Sequence, residues 1–469
     1  MGKLNLIIAL DKYFGFSKDN NIPWFYKEDL KHFKNTTNNN CILMGRNTFL
    51  TLKEPLKNRI NIVISSTLHD YIIKPEFATY LFIFDTLDKG IHFAKSYKDK
   101  DIYICGGLNI YNTCLNNYIL DEIYLTYINK DYNCDLFINI NNLYNYKKIE
   151  TIYKNDTNDE LRILKLRYSL KTYKFPLKIF NNEFAYLNNL NLILKNGKET
   201  LTRNGYTLSL FAPPEMRFNL LDGFPLLTTK KMFWRGIVLE LIMFINGITD
   251  SKYLANQGVK IWEPNTTREF LDSKNLNYEI GDMGPMYGWN WRHFGADYIN
   301  KDTDYTNKGF DQLAHLIHLI KTDPTSRRLL LTSLDPSKVA ESVLPPCHSL
   351  PIQFYISDSY IDCKMTQRSA DMFLGVPFNI ASTSLLLHLI ANLTGYTARY
   401  VVLSLGDAHI YKDHIDKCNL QLTRCPMDLC NVNCIKKLET LKDLETLTFD
   451  DIELINYKSH SAINAKMIA

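Results

Sequence analysis

An α/β sheet domain followed by a larger α+β domain is the architecture this sequence predicts, and three observations predict it. Short β runs alternate with helical stretches through the first third, as in a sheet with crossover helices. Longer helical patterns dominate the second part, with strands between them. A basic, aromatic connector, Lys171–Ile179, separates the two. At 469 residues and 54.6 kDa the chain is too long for one typical domain. The expected division is residues 1–170, a connector at 171–180, and residues 181–469.

In chain order, the apolar and β-branched runs Leu4–Leu10, Cys41–Met44, Ile60–Ser65, Leu81–Phe84, Ile102–Cys105 and Ile123–Ile128 read as strands. Lys27–Lys34 and Leu108–Leu115 read as helices between them. Asn139–Tyr146 is Asn-rich and reads as a surface loop; Lys154–Glu160 is turn-like. Leu161–Tyr168 alternates as a closing strand does. Beyond the connector, an amphipathic helix is expected near Glu183–Leu194, then helices at Phe233–Asn246, Gly309–Lys321 and Asn379–Leu393. Strands are expected at Arg328–Leu331, Pro351–Ile356 and Tyr360–Gln367. No internal repeat is evident.

Hydrophobic content of 46% with 22% charged residues is ordinary for globular domains. A net charge of +4 suits small polyanionic substrates and demands no nucleic acid. Ten cysteines lie scattered without a secreted-framework spacing, no signal-like run opens the chain, and no run of about twenty apolar residues occurs. The expectation is a reduced, cytoplasmic protein with no membrane span. Cys418, Cys425, Cys430 and Cys434 lack zinc-type spacing, so no metal site is expected.

Chemistry concentrates at Pro345-Pro346-Cys347-His348, Gln367-Arg368-Ser369 and Phe378-Asn379. A thiolate is the strongest nucleophile available near neutral pH, and a nearby arginine lowers its pKa while binding an oxyanion. Arg327-Arg328 is a second basic pair, open between ion pairing at the surface and phosphate binding. Asn379 is either a helix cap or an amide that reads a pyrimidine edge. Glu240, in an apolar helical segment, is either structural or a buried acid with a raised pKa.

From about Asn181 to Ala469 the chain closely resembles thymidylate synthase. The matching runs are Asp222–Lys230, Gly281–Gly288, Leu344–His348, Gln367–Ser382 and Leu405–Tyr411. The resemblance implies that Cys347 attacks C6 of dUMP, making C5 nucleophilic toward the methylene of 5,10-methylenetetrahydrofolate. Arg368 and Ser369 would hold the 5′-phosphate, with Arg327 and Arg328 reaching from a second subunit. Asn379 would read uracil, and His409 and Tyr411 the ribose. Glu240, with Tyr287 nearby, would move protons. Trp262, Asn265, Asp371 and Gly375 would line the folate pocket, Asp371 also bordering dUMP. A homodimer through this domain follows. Arg203 stands for the family's loop arginine, although its loop is one residue shorter here, and Lys466 is unexpected in a tail of the family's kind.

In the first part, Ile22-Pro23-Trp24 precedes Asp29 and Phe33, which share one helical face. Met44-Gly45-Arg46-Asn47-Thr48 and Ile104-Cys105-Gly106-Gly107 are strand-to-helix junctions of the kind that hold a nucleotide cofactor. With Pro55–Arg59, Ser65-Ser66, Ile110-Tyr111 and Tyr124-Leu125-Thr126, these residues resemble dihydrofolate reductase over about Lys3–Tyr168. The resemblance implies that Asp29, linked to Thr126, binds the pteridine while NADPH delivers hydride. Arg59 would pair with the folate α-carboxylate. Gly45, Arg46, Thr48, Ser65, Ser66, Gly106, Gly107 and Tyr111 would hold NADPH. Ala9, Phe33, Leu52, Leu56 and Cys105 would line the folate pocket. Ser17 and Cys105 depart from the usual glycine and larger aliphatic residue.

The expected whole is a dihydrofolate reductase-like sheet domain fused to a thymidylate synthase-fold domain. Two rivals remain: a synthase with a degenerate amino half, and an RNA-binding protein on the same scaffold, which no basic stripe supports.

Overall fold

A computed structural model describes residues 2–68, 73–138, 146–155, 160–168, 183–202, 204–424 and 426–468. The connector Lys171–Ile179, most of Asn139–Tyr146, Arg203 and Cys425 lie outside the described residues. The chain divides into two compact units, Met1–Phe180 and Asn181–Ala469.

The first unit is built on an eight-stranded sheet. In spatial order its strands are Leu81–Phe84, Ile60–Ile64, Cys41–Gly45, Ile102–Ile104, Leu4–Leu10, Glu122–Ile128, Leu161–Tyr168 and Tyr146–Lys154. The first six run parallel, Leu161–Tyr168 runs against them, and Tyr146–Lys154 pairs antiparallel with Leu161–Tyr168. Central strands such as Cys41–Gly45 and Leu4–Leu10 are almost continuously apolar because helices cover both faces of a parallel sheet. The longest elements of this unit that the sequence reading did not include are the helix Leu87–Ala94 and the strand Tyr146–Lys154.

The second unit carries a seven-stranded sheet ordered Lys198–Thr202, Gly205–Phe211, Thr397–Tyr411, Tyr360–Asp371, Ile352–Ser357 and Leu330–Leu331, with Met216–Asn219 also paired to Thr397–Tyr411. The strands Gly205–Phe211 and Thr397–Tyr411 had not been expected. The helix Gly375–Thr394 begins a turn earlier than its sequence pattern, so Asn379 lies inside the helix and does not cap it. The helix expected from Gly309 begins at Gln312, capped by the Asp311 side chain on the Ala314 N–H.

Among the described residues, Gly375–Thr394 is the one helix long and apolar enough to cross a membrane, and 78% of its apolar window is buried inside the unit. It is a core helix. Cys418 sits buried in the helix Ile415–Leu422. No group of residues able to hold a metal occurs among the described residues.

Candidate active sites

The parallel strands of the first unit bring their carboxyl ends to one edge, where a cavity of about 980 Å³ opens. Gly45, Arg46, Thr48, Ser65, Ser66, Gly106, Gly107 and Tyr111 all line it. The Gly45 N–H donates to the Gly106 carbonyl at 2.7 Å, joining two strand-to-helix junctions. Gly106 has φ 121°, and a Cβ there would come within 3.2 Å of Thr48 Oγ1, so this floor admits only glycine. Arg46 Nη1 donates to Thr67 Oγ1 at 2.9 Å, and Ser65 Oγ accepts the N–H groups of Thr67 and Leu68. The Tyr111 hydroxyl donates to the Ile7 carbonyl at 2.9 Å, so this residue offers the cavity its ring and not a donor. A long groove with a glycine floor, one guanidinium and several hydroxyls fits a dinucleotide with its phosphates.

Asp29 stands in the first turn of the helix Lys27–Thr37. Thr126 Oγ1 donates to Asp29 Oδ1 at 2.6 Å, and burial nevertheless raises the carboxyl above its usual range. Ala9 lies opposite Thr126 in the strand register. Phe33, Leu52, Leu56 and Cys105 pack on the core cluster of Ile7, Ile42, Met44 and Phe49. Burial pushes the Cys105 thiol up to about 12, which makes it a wall of the pocket. Arg59 is fixed by three bonds, Nε to Thr37 Oγ1, Nη1 to the Lys57 carbonyl and Nη2 to the Lys34 carbonyl. It lines a separate, smaller cavity.

In the second unit Cys347 lies in the segment before the strand Ile352–Ser357. Tyr287 Oη is 3.4 Å from Cys347 Sγ and accepts the Cys347 N–H at 3.1 Å. Tyr287 itself has φ 45° and stacks on Phe244 at 4.9 Å, so packing holds it in an unfavourable backbone region. Arg368 donates to the carbonyls of Pro345 and Pro346, bracing the cysteine loop. The sequence led us to expect a lowered thiol pKa. Burial instead raises it, outweighing the Tyr287 hydroxyl and the Arg368 charge, both of which pull it down.

Glu240 accepts Trp262 Nε1 at 2.8 Å, and burial pushes its carboxyl up to about 7. Strand pairing sets Ser369 beside Asp407 and Asp371 beside His409, with Tyr411 two residues on and 5.3 Å from the His409 ring. Asp371 accepts the N–H groups of Phe373 and Leu374, shaping the turn into Gly375. The Asn379 side chain is almost buried, and its Oδ1 would lie 3.8 Å from a Cβ on Gly375. Asn265 Oδ1 is buried with no hydrogen-bond partner, which fits a site completed by a ligand. Arg327 and Arg328 are exposed.

Four neighbours had no role in the sequence reading. Thr67 fixes Arg46, and Asp85 lines the groove with its carboxyl held low by Lys89. Gln367 is buried with Oε1 unpartnered. Lys230, pushed down to about 8 by burial, donates to the Phe373 carbonyl. Gln367 and Lys230 stood only inside longer motifs, and Thr67 and Asp85 carried no signal at all.

A dinucleotide groove beside a buried acid, and a thiol beside a second buried acid and an arginine, define a two-domain enzyme that joins a reductase to a nucleophilic transferase. The comparisons with known proteins agree. The family model for dihydrofolate reductase matches residues 3–170, and that for thymidylate synthase residues 184–469. The bifunctional dihydrofolate reductase-thymidylate synthase of Paramecium tetraurelia is 36% identical over 469 residues, covering 99% of this chain and 98% of the relative. Bifunctional enzyme 2 of Arabidopsis thaliana is also 36% identical, over 98% of this chain and 88% of its own. The thymidylate synthase of human herpesvirus 8 is 46% identical over 61% of this chain and 84% of its own. The chain belongs to the bifunctional dihydrofolate reductase–thymidylate synthase family.

Proposed function

We propose a residue-level account of two linked reactions, with residues 1–170 and 181–469 as the catalytic domains and 171–180 as connector. The enzyme methylates dUMP to dTMP with 5,10-methylenetetrahydrofolate, leaving dihydrofolate, and reduces dihydrofolate to tetrahydrofolate with NADPH. Cys347 Sγ adds to C6 of dUMP, so that C5 attacks the methylene carbon. The Tyr287 hydroxyl and Arg368 favour the thiolate against the pull of burial. Glu240, titrating near neutrality, takes up and returns the protons the reaction moves at C5 and the folate.

Arg368 and Ser369, Arg203, and Arg327 and Arg328 of the partner subunit hold the 5′-phosphate. The exposure of Arg327 and Arg328 in their own chain supports a homodimer in which they cross to the other site. Asn379 reads the uracil edge, and His409 and Tyr411 the ribose hydroxyl. Trp262, Asn265, Asp371 and Gly375 form the folate wall.

In the reductase domain Asp29 and Thr126 hold the pteridine and a proton, while bound NADPH supplies the hydride. Arg46, Thr48, Ser65 and Ser66 hold phosphates, Gly45 and Gly106-Gly107 let the backbone approach the pyrophosphate, and Tyr111 packs beneath. Ala9, Phe33, Leu52 and Leu56 form the apolar sleeve, closed by Arg59 on the α-carboxylate. The enzyme acts in the cytoplasm and needs neither membrane nor nucleic acid.

The observation that carries this reading is the cluster of Cys347, Tyr287 and the Glu240 carboxyl, pushed up to about 7. The test is NADPH loss by the purified chain given dUMP and methylenetetrahydrofolate. Oxidation that requires both supports linked reactions; dTMP without oxidation would mean an inactive reductase domain.

A further inference from the structure

Among the described residues that line the dinucleotide groove, Arg46 is the one cation and Asp85 the one carboxylate. A phosphate accounts for Arg46 and does not account for a carboxylate in the same groove. The order of the strands shows where along the groove the two stand. From Leu4–Leu10, whose Ala9 lies opposite Thr126, the sheet steps outward through Ile102–Ile104, Cys41–Gly45 and Ile60–Ile64 to Leu81–Phe84. Those four strand spacings span roughly 19 Å. Gly106 comes after the first strand of that series, Arg46 after the second, Ser65 after the third and Asp85 after the last. The outer end, remote from the Asp29–Thr126 pair, is thus the end for the half of the dinucleotide that carries no reacting ring.

At that end the two charged groups are neighbours of one loop. The Ser65 N–H donates to the Phe84 carbonyl at 2.8 Å, and Ile64 pairs with Phe84, so Ser65 and Asp85 leave the sheet side by side. Arg46 Nη1 donates to Thr67 Oγ1 at 2.9 Å, which carries the guanidinium across to the loop beside Asp85. The bonds Arg46 makes go to the neutral side chains of Thr67 and Asn47, leaving its charge for a ligand. Asp85 is exposed and accepts Lys89 Nζ at 2.8 Å, a bond that holds its carboxyl below the usual range and keeps it ionised at neutral pH. Lys89 is itself exposed, so the pair is loose and solvated.

An arginine and an aspartate at one end of a dinucleotide groove make opposite demands on the adenosine ribose. A guanidinium attracts a 2′-phosphate, whereas a carboxylate repels it and accepts a hydrogen bond from a free 2′-hydroxyl. We propose that Asp85 is a specificity-determining residue of the reductase domain: it weakens the preference for the 2′-phosphorylated cofactor and supports binding of NADH, and Lys89 sets how strongly it does so. The inference rests on the assignment of this groove to NADPH and of Arg46 to a phosphate.

The test is equilibrium binding of NADPH and of NADH, which differ only in the 2′-phosphate, to the full chain at low salt without folate or dUMP. Asp85→Ala tightens NADPH about threefold and weakens NADH about twofold, so the two move in opposite directions. Lys89→Gln, which bares the carboxylate, weakens NADPH about threefold. Added salt shrinks both NADPH shifts. A variant that had only lost local structure would bind both cofactors more weakly. An unchanged ratio in Asp85→Ala, or both cofactors moving in the same direction, overturns the proposal. Arg46→Gln separates the two levels. If it leaves NADPH binding unchanged, the assignment of Arg46 to a phosphate fails and the proposal with it. If it weakens NADPH while Asp85→Ala changes nothing, the groove assignment stands and the role of Asp85 alone falls.

Discussion

The dinucleotide groove draws all eight of its sequence-assigned residues into one cavity of a single unit, whereas in the second unit Arg327 and Arg328 stand exposed. Among the described residues neither arginine side chain bonds anything in its own unit. On the proposed assignment the first site is built within one chain, and the second takes part of its anion-binding charge from another copy. The acids differ as well. Asp29 is held by a hydroxyl and Glu240 by an indole N–H, and each rises above the carboxylate range because one neutral donor does not offset burial.

That contrast can be broken at several points. The largest effect is expected from Cys347→Ser, which should cut dTMP formation about a thousandfold or more while leaving dihydrofolate reduction intact. Equal loss of both activities would dissolve the distinction between the sites. Asp29→Asn should do the reverse, lowering reduction about a hundredfold at neutral pH and sparing dTMP synthesis.

Glu240→Gln probes the cost of the second acid. The folded carboxyl sits at about 7 against an ordinary 4.5, so the wild type is fully stabilised below the unfolded value and loses that stability as pH rises through 7. The variant should lose dTMP synthesis yet be more stable by up to about 3 kcal/mol in mildly alkaline buffer, a gain that fades in acid. Denaturant titration across pH measures it; equal stability at every pH would mean the acid is not buried as described. The smallest effect compares the donors. Trp262→Phe and Thr126→Val each remove the bond that lowers their carboxyl, so the pH–rate limb of the matching activity should move up by about half a unit to one unit. A shift in the other activity would contradict the separation.

Much of this was legible in the sequence because strand and motif signals are local. Leu4–Leu10 and Leu161–Tyr168 have the limits their patterns imply. Tyr146–Lys154 was missed because Asn, Lys and Tyr dominate its surroundings and mask an edge strand. Leu87–Ala94 was hidden by Gly90, which packs against Ile64 where no larger residue fits. Site residues embedded in long motifs were readable, whereas Thr67 and Asp85 act only through where the fold carries them. The direction of the Cys347 shift depends on burial against attraction, a balance that exists only after folding.

Mixed dimers test the central contrast most directly. Arg327→Ala and Cys347→Ser chains, each inactive in dTMP synthesis alone, are unfolded together, refolded and assayed. Random pairing should restore synthesis to about a quarter of the wild-type level, from the one working site in each heterodimer. Dihydrofolate reduction should stay at the wild-type level in every preparation. A mixture without dTMP synthesis, or a fully active Arg327→Ala homodimer, would contradict a synthase site completed by a second copy.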